Sequence, residues 1–364
     1  GYYCLDVTST ENPTLCGYQS GSRWLTFNVS AAAAPYLGAP WSAPMVGRVK
    51  DGGLEKWVAI IGGGYPSSGA ANSAKGLFVF DLRNGSLLWS YTKANNSGLN
   101  YAMPAPPAIV DTDSDGFIDI VYIGDINNNM WRFKFCRSAD GDSCTTSNWT
   151  GNLFFDSTNA PIRPIYTSAT VAKDTYNNVW VYWGTGDKTD PTAPNAQEKL
   201  YALKDTDFTS SWRINNMENI TSEGATYSGT AQGWYINMTG GGEKILAEPT
   251  VFGGVVYWTS YTPPSGNDPC AQGGEAKLYG VNYTTGAGAI DLGGGSLARS
   301  ISIGTGIPSA PVVSMRPGND GTPDLYVTAS GGGGTAAETF RVNFDPRGLA
   351  NRTNIIYWKD KRVE

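Results

Sequence analysis

Nine consecutive residues in this chain have the types and spacing to hold a metal ion: Asp111-Thr112-Asp113-Ser114-Asp115-Gly116-Phe117-Ile118-Asp119. Carboxylates fall at relative positions 1, 3, 5 and 9 around one glycine. Acidic side chains packed so closely in sequence repel one another unless a cation lies between them. Ca²⁺ takes about six to eight hard oxygens at about 2.3–2.6 Å, and a short loop bent at a glycine converges that many. The spacing predicts one Ca²⁺ site, with side-chain ligands from Asp111, Asp113 and Asp115, the backbone carbonyl of Phe117, and Asp119 as the closing carboxylate. An EF-hand closes instead with a bidentate Glu at position 12, and that position here is Tyr122. Ile120-Val121-Tyr122-Ile123 reads as a strand, so the expectation is a Ca²⁺ loop feeding a β-strand and not a helix–loop–helix sensor. The competing reading is a solvated acidic turn.

Other chemistries find less support. The chain of 364 residues has no histidine, which removes Ser-His-Asp and Cys-His nucleophiles, His-ligated metals and the commonest general base near neutral pH. Net charge is −6 with no dense Lys/Arg cluster, so the basic footprint of a nucleic-acid binder is missing. No apolar run reaches the length of a membrane span. The five cysteines are Cys4, Cys16, Cys136, Cys144 and Cys270. Cys136-Arg-Ser-Ala-Asp-Gly-Asp-Ser-Cys144 has a turn at its centre, which predicts a Cys136–Cys144 disulfide, with Cys4–Cys16 a further candidate and Cys270 left over. No Cys-x-x-Cys pair suggests zinc, and an oxidising, exported setting is expected. The opening Gly1-Tyr2-Tyr3-Cys4 is strand-like and unlike a signal peptide, as for a fragment of a larger polypeptide.

The elements that must position the acidic loop form a repeat. A short strand reading aromatic, small or apolar, then often Asp or Asn, occurs as Tyr3-Cys4-Leu5-Asp6, Phe78-Val79-Phe80-Asp81, Trp131-Arg132-Phe133-Lys134, Tyr201-Ala202-Leu203-Lys204, Tyr279-Gly280-Val281-Asn282 and Phe340-Arg341-Val342-Asn343. Copies lie roughly 50 to 80 residues apart. Each later copy follows a strand that runs into glycine or a loop, such as Trp57–Gly62, Ile120–Gly124 or Val179–Gly184. A third, often proline-led strand comes before, as in Ala43-Pro44-Met45-Val46, Pro106-Pro107-Ala108-Ile109-Val110, Pro249-Thr250-Val251 and Pro311-Val312-Val313. Three or four antiparallel strands with a greasy face cannot bury it alone, but units stacked around an axis do. The expected fold is an all-β propeller of six to seven blades with long inter-strand loops, a single domain over residues 1–364. Helix signals are scarce, and Ala31–Ala34 is cut off at Pro35.

In this frame the acidic loop is the hairpin between the proline-led and glycine-ended strands of its blade. The same hairpin elsewhere reads Lys50-Asp51-Gly52-Gly53-Leu54-Glu55 and Asn319-Asp320-Gly321-Thr322-Pro323-Asp324. Aligned on the glycine, Asp320 and Asp324 match Asp115 and Asp119, while Arg316 and Gly318 replace the other carboxylates, so that loop is expected to bind no Ca²⁺. A plain turn is the default.

At this level the chain resembles the C-terminal propeller of the PilY-type adhesins of type IV pili. The resemblance rests on Pro107–Val110 running through the acidic loop to Val121-Tyr122-Ile123-Gly124-Asp125 and Met130-Trp131-Arg132-Phe133, and on Gly233-Trp234-Tyr235-Ile236. Gly242-Glu243-Lys244-Ile245-Leu246, Val255-Val256-Tyr257-Trp258, Tyr261-Thr262-Pro263, Asp268-Pro269-Cys270, Leu278-Tyr279-Gly280-Val281 and Gly304–Pro311 follow in the family's order. It implies a modified, quinoprotein-like propeller with Ca²⁺ at Asp111, Asp113, Asp115, the Phe117 carbonyl and Asp119. It also implies a place at the pilus tip or outer membrane surface, minor pilins and a host or abiotic surface as partners, and a role in pilus extension and retraction, attachment and twitching motility. The family's large N-terminal region is not in this sequence, so part of the adhesive function is expected to lie outside it.

Two other functions are known for propellers of this kind of repeat, an enzyme and a lectin. A pyrroloquinoline-quinone dehydrogenase shares repeats such as Leu77–Gly85 followed by Trp89, but tryptophans there mostly dock blades, and no convergent quinone site is identifiable, so no enzymatic activity is expected. A glycan-binding propeller would need exposed aromatics such as Trp234-Tyr235 or Tyr257-Trp258, which read more simply as strand residues packed between blades.

Overall fold

The computed structural model describes residues 29–66, 68–194, 197–264, 273–291, 297–315 and 323–330, with backbone alone for the strands at 5–6, 14–15 and 338–343. The chain divides into two compact units, residues 1–155 and 156–364. Nearly every element is a strand. The alanine run yields only one turn of 3-10 helix, Ala34–Tyr36, around its proline.

In the first unit β1 (Leu5–Asp6) pairs with β2 (Thr14–Leu15). The strands β3 (Met45–Asp51), β4 (Leu54–Gly62), β5 (Gly76–Asp81) and β6 (Leu87–Thr92) form a four-stranded antiparallel sheet in chain order. A second such sheet is built from β7 (Ala108–Val110), β8 (Ile120–Gly124), β9 (Met130–Lys134) and β10 (Thr150–Phe155). Both faces of the middle strands are buried, since β8 is covered along its whole length and β5 along all but its last residue. That is the burial expected of a sheet stacked on both sides rather than half-solvated. Half-buried Trp89 on β6 fills the gap to the next sheet, edge-on to Phe133, Phe135 and Trp149 at 5.6–6.1 Å between ring centres. It is a docking residue, as the repeat implied.

The second unit opens with β11 (Thr170–Lys173), β12 (Val179–Gly184), β13 (Lys199–Asp205), β14 (Met217–Asn219) and β15 (Gly233–Asn237). They form one sheet in the order β11-β12-β13-β15-β14, with β14 added parallel to β15. Next come β16 (Thr250–Phe252), β17 (Val255–Thr262), β18 (Glu275–Asn282), a small hairpin of β19 (Ile290–Asp291) and β20 (Leu297–Ala298), and β21 (Ser300–Thr305), which completes the fourth strand beside β18. The strands β22 (Val312–Met315), β23 (Pro323–Ala329) and β24 (Glu338–Asn343) form the last sheet. Each aromatic–apolar–Asp/Asn copy from Phe78 onward is thus the third strand of a sheet, after a proline-led or glycine-ended partner.

The glycines that end second strands have a steric reason. A Cβ on Gly62 would lie 2.4 Å from the Met103 carbonyl and 2.6 Å from Ile123, and one on Gly184 would lie 2.3 Å from Ile245. In each unit the following chain crosses there, and only hydrogen fits. Trp234, Tyr257 and Trp258 are buried, at 0–2% exposure, and Trp234 donates its indole N–H to the Thr284 carbonyl. These aromatics pack between strands and are not open to a sugar. Hydroxyls stitch successive sheets: Ser42 donates to the Ala105 carbonyl, Thr170 to Pro249 and Thr250 to Pro311, each beside a proline-led strand.

Candidate metal centre

The connections between first and second strands differ in one informative way. Between β3 and β4 the turn is Gly52-Gly53, with φ of 60° and 74°, and between β16 and β17 it is Gly253-Gly254, with φ of 58° and 78°. Two successive positive φ values make the two-residue turn whose twist matches a hairpin. Between β7 and β8 the chain instead inserts the acidic segment 111–119. Its base is closed by the Asp119 N–H donating to the Val110 carbonyl at 3.0 Å.

Within the loop Asp111 turns inward. One of its oxygens accepts the N–H groups of Ser114 and Asp115, and the other accepts that of Gly116. Asp115 accepts the Phe117 N–H at 2.8 Å. Ser114 and Gly116 sit at φ of 64° and 89°, so the glycine is needed where the chain reverses. The outcome is convergence: one carboxylate oxygen each from Asp111, Asp113 and Asp115 lie within 4.8 Å of one another. Two oxygens on opposite sides of a Ca²⁺ ion are about 4.8 Å apart, so this all-oxygen set fits a hard divalent cation.

Asp119 lies deeper, at 2% exposure, with its carboxylate accepting the Thr112 N–H and hydroxyl. Burial, reinforced by the charges of Asp113 and Asp111, pushes its pKa up to about 7 against the Thr112 hydrogen bonds. Burial also raises Asp113, with Asp115 and Asp111 adding repulsion. Asp115 differs: burial would raise it, but hydrogen bonds from Ser138 and the Phe117 amide outweigh that and hold it below the ordinary value. The three carboxylates of the cluster are brought together as the spacing predicted, while Asp119 sits against Thr112 and Phe117 contributes its amide to Asp115.

Residues far away in sequence grip the loop. The Arg48 guanidinium and the Lys50 ammonium, both on β3, lie over the Phe117 ring at 4.9 and 4.8 Å. The Ile118 N–H donates to the Arg48 carbonyl at 2.7 Å, and the Ser138 N–H donates to Asp115 at 3.2 Å. Nothing local in the sequence announced Arg48, Lys50 or Ser138. Cys136 and Cys144 are disulfide-bonded as expected. Cys4, Cys16, Cys270 and the Arg316–Gly321 loop lie outside the described residues.

A second Asp motif serves structure. Asp125, between β8 and β9, accepts the N–H groups of Asn127 and Asn129, the Asn129 side-chain amide and the Trp131 indole. Asp174, between β11 and β12, repeats this with Tyr176, Asn178 and Trp180. The shared pattern Asp-x-x-Asn-Asn-x-Trp at 125–131 and 174–180 is legible in the sequence. In the second unit the buried Glu243 carboxylate is satisfied internally by Ser260, Tyr279 and the Gly240 N–H.

Residues 3–176 match the sequence family of the PilY1 beta-propeller domain. The type IV pilus biogenesis factor PilY1 of Pseudomonas aeruginosa strain PAO1 is 25% identical over 343 residues, covering 79% of this chain and 28% of that protein. A PilY1 homolog from Xylella fastidiosa strain Temecula1 is 26% identical over 371 residues, covering 92% of this chain and 28% of its own length. The chain thus spans little more than a quarter of these curated relatives. The crystal structure of the Pseudomonas aeruginosa PilY1 C-terminal domain superposes with a TM-score of 0.67 at 19% identity, over 94% of this chain and 77% of that one. The repeat of antiparallel sheets is a β-propeller architecture, and over residues 3–176 in sequence and over most of its length in fold the chain is similar to the PilY1 propeller domain.

Proposed function

We propose that this chain is a Ca²⁺-binding propeller of a type IV pilus-associated factor, one that supports pilus assembly, surface attachment and twitching motility from the pilus tip or outer membrane surface. One observation carries the metal part of this reading: three carboxylates within 4.8 Å in a hairpin whose siblings at Gly52-Gly53 and Gly253-Gly254 are bare two-residue turns. Ca²⁺ would be held by Asp111, Asp113 and Asp115 with the Phe117 carbonyl and Asp119, and when bound it would neutralise their mutual repulsion. Asp111 already folds the loop through its three amide contacts, so the chain's share of the work is to present oxygens on a rigid β7–β8 base. A hairpin whose stiffness depends on an ion, on an otherwise fixed scaffold, suits control of pilus extension against retraction. The named relatives, type IV pilus biogenesis factors, support the pilus setting; the partners proposed on that basis are minor pilins and a host or abiotic surface. No helix among the described residues is long and apolar enough to cross a membrane.

The test is to place Asp115→Asn in the full-length protein in its own bacterium and to localise the protein by immunogold. Gold at pilus tips or on the outer surface, with altered twitching and normal protein level, supports the reading. Normal twitching and pilus number in a variant that has lost Ca²⁺ binding removes the regulatory role, and gold confined to the cytoplasm removes the pilus assignment.

A further inference from the structure

We propose that the disulfide-closed segment 136–144 is a second wall of the acidic site, and that Ser138 is a positioning residue for Asp115; the link to affinity rests on the metal reading above. The segment comes from the β9–β10 connection, remote from the loop in sequence. Its Cys136–Cys144 bridge spans 5.7 Å between Cα atoms. Inside it Ser138–Asp140 makes a 3-10 turn, with the Arg137 guanidinium paired to Asp140 at 3.0 Å. The first residue of that turn points its N–H at the Asp115 carboxylate, 3.2 Å away, and its hydroxyl also hydrogen-bonds there.

Both ends of the segment are tied down. Cys136 is buried at 1% exposure, bridged to Lys50 on β3, and receives the Trp149 indole N–H. At the far end the Cys144 carbonyl accepts the Gly52 N–H at 2.9 Å, and the Thr146 N–H donates to Asp51 at 3.0 Å. The same β3 strand carries Arg48 and Lys50 onto the Phe117 ring. Asp115 is therefore fixed from two sides, by the Phe117 amide within its loop and by Ser138 from outside. A ligand held in place before binding loses less freedom when the ion arrives. The bridge matters because it joins the two tied ends covalently, closing the 3-10 turn that carries Ser138 into a short loop.

The geometry offers a clean perturbation. Ser138 is the first residue of its turn, where proline is tolerated, and Arg137 before it is extended at φ −92° and ψ 161°, as a residue preceding proline must be. Ser138→Pro therefore removes the N–H and hydroxyl donors while keeping the turn. Three purified variants, Ser138→Pro, Ser138→Ala and Cys136→Ser/Cys144→Ser, are compared with wild type by Ca²⁺ calorimetry and by amide hydrogen exchange in EDTA. The expected result is Ca²⁺ affinity about tenfold weaker in Ser138→Pro and in the double variant, the scale of one lost charge-assisted hydrogen bond, with Ser138→Ala between them and wild type. Exchange at residues 114–117 should quicken in the metal-free state. Affinity within about twofold of wild type and unchanged exchange in folded variants overturn the proposal. If wild type binds no Ca²⁺ yet exchange still quickens, the wall stands and the metal reading falls. If neither is seen, both fall.

Discussion

Replacing Asp115 by Asn removes one charge from the acidic loop and the Ser138 hydrogen bond with it. Asparagine keeps the shape and one oxygen; its amide accepts the Phe117 N–H in place of the carboxylate, and its NH₂ then faces the Ser138 N–H. The loop is partly exposed, so the dielectric of water is the right scale. A divalent ion about 2.4 Å from a single negative charge then gains about 3.5 kcal/mol. Repulsion of Asp115 by Asp111 and Asp113, whose oxygens lie within 4.8 Å, acts in the free and the bound loop alike and cancels from the difference. The expectation is a Ca²⁺ affinity roughly 300-fold weaker, read by titration calorimetry in chelator-treated buffer, with an unchanged far-ultraviolet spectrum because only one hairpin is involved. Asp119→Asn is the companion measurement. Asp119 is buried and less screened, so a loss at least as large places it on the ion, and wild-type affinity makes it only the partner of Thr112. Should Asp115→Asn bind Ca²⁺ within about threefold of wild type, the carboxylate cluster is a solvated turn and the metal reading is refuted.

If the site fills, Ca²⁺ at a hundred times its dissociation constant raises unfolding free energy by about 2.7 kcal/mol; the difference between Ca²⁺ and EGTA melts should vanish in Asp115→Asn. Asp125→Ala removes the acceptor of four donors, three of them in buried hydrogen bonds, and should cost about 3–5 kcal/mol in urea unfolding with Ca²⁺ binding retained if the variant folds; a loss under about 1 kcal/mol would mean the turn is not held by that carboxylate. Burial raises the Asp125 pKa to about 6 from an ordinary 3.8, so its protonated form contributes stability that is full below about pH 4 and is lost as pH rises through 6. The stability of wild type relative to Asp125→Ala should therefore fall by about 2.4 kcal/mol between pH 4 and 7, and a flat difference would contradict the burial argument. Gly62→Ala must push a methyl group against the Met103 carbonyl and should cost about 1–3 kcal/mol, measured as a shift in urea midpoint; a neutral substitution would mean that the sheets separate more easily than their packing suggests.

The sequence was most readable where one residue type has one physical use. The proline-led strand, the aromatic and β-branched strand after it and the aromatic–apolar strand after that marked three successive positions in a sheet, and those positions are β7, β8 and β9 or β16, β17 and β18 in the fold. The acidic loop was legible for the same reason, since alternate carboxylates with a glycine at the reversal have few uses, and the first three of them do converge. The fourth, Asp119, is buried beside Thr112. Spacing alone gives Asp119 a place in the loop but not its depth, and depth is set by the β7–β8 base and by Thr112, which engages both of its oxygens. Ser138, Arg48 and Lys50 were beyond reach because their contacts with 115–118 depend on how two sheets and a disulfide segment pack. The short parallel strand β14 also escaped, as Met217-Glu218-Asn219 carries no period long enough to notice.

The comparison among sibling hairpins bears most directly on what the loop is for. Had 111–119 existed only to join β7 to β8, two glycines would have sufficed, as they do at 52–53 and 253–254. Asp125 and Asp174 show that this chain can also stabilise a longer turn with a single carboxylate, by giving it backbone, amide and indole donors. Asp111 alone performs that task for the acidic loop, through the amides of Ser114, Asp115 and Gly116. Asp113 takes a hydrogen bond from the Asp115 amide, but burial and the repulsion from Asp115 and Asp111 outweigh it and disfavour its charge. A carboxylate whose charge is disfavoured in the empty turn has its physical use when a cation joins its neighbours. Asp113→Asn should accordingly stabilise the metal-free loop, seen as slower amide exchange at 114–117 in EDTA, while weakening Ca²⁺ binding. Faster exchange in that variant would show Asp113 to be part of the turn, and the case for a metal would lose its main support.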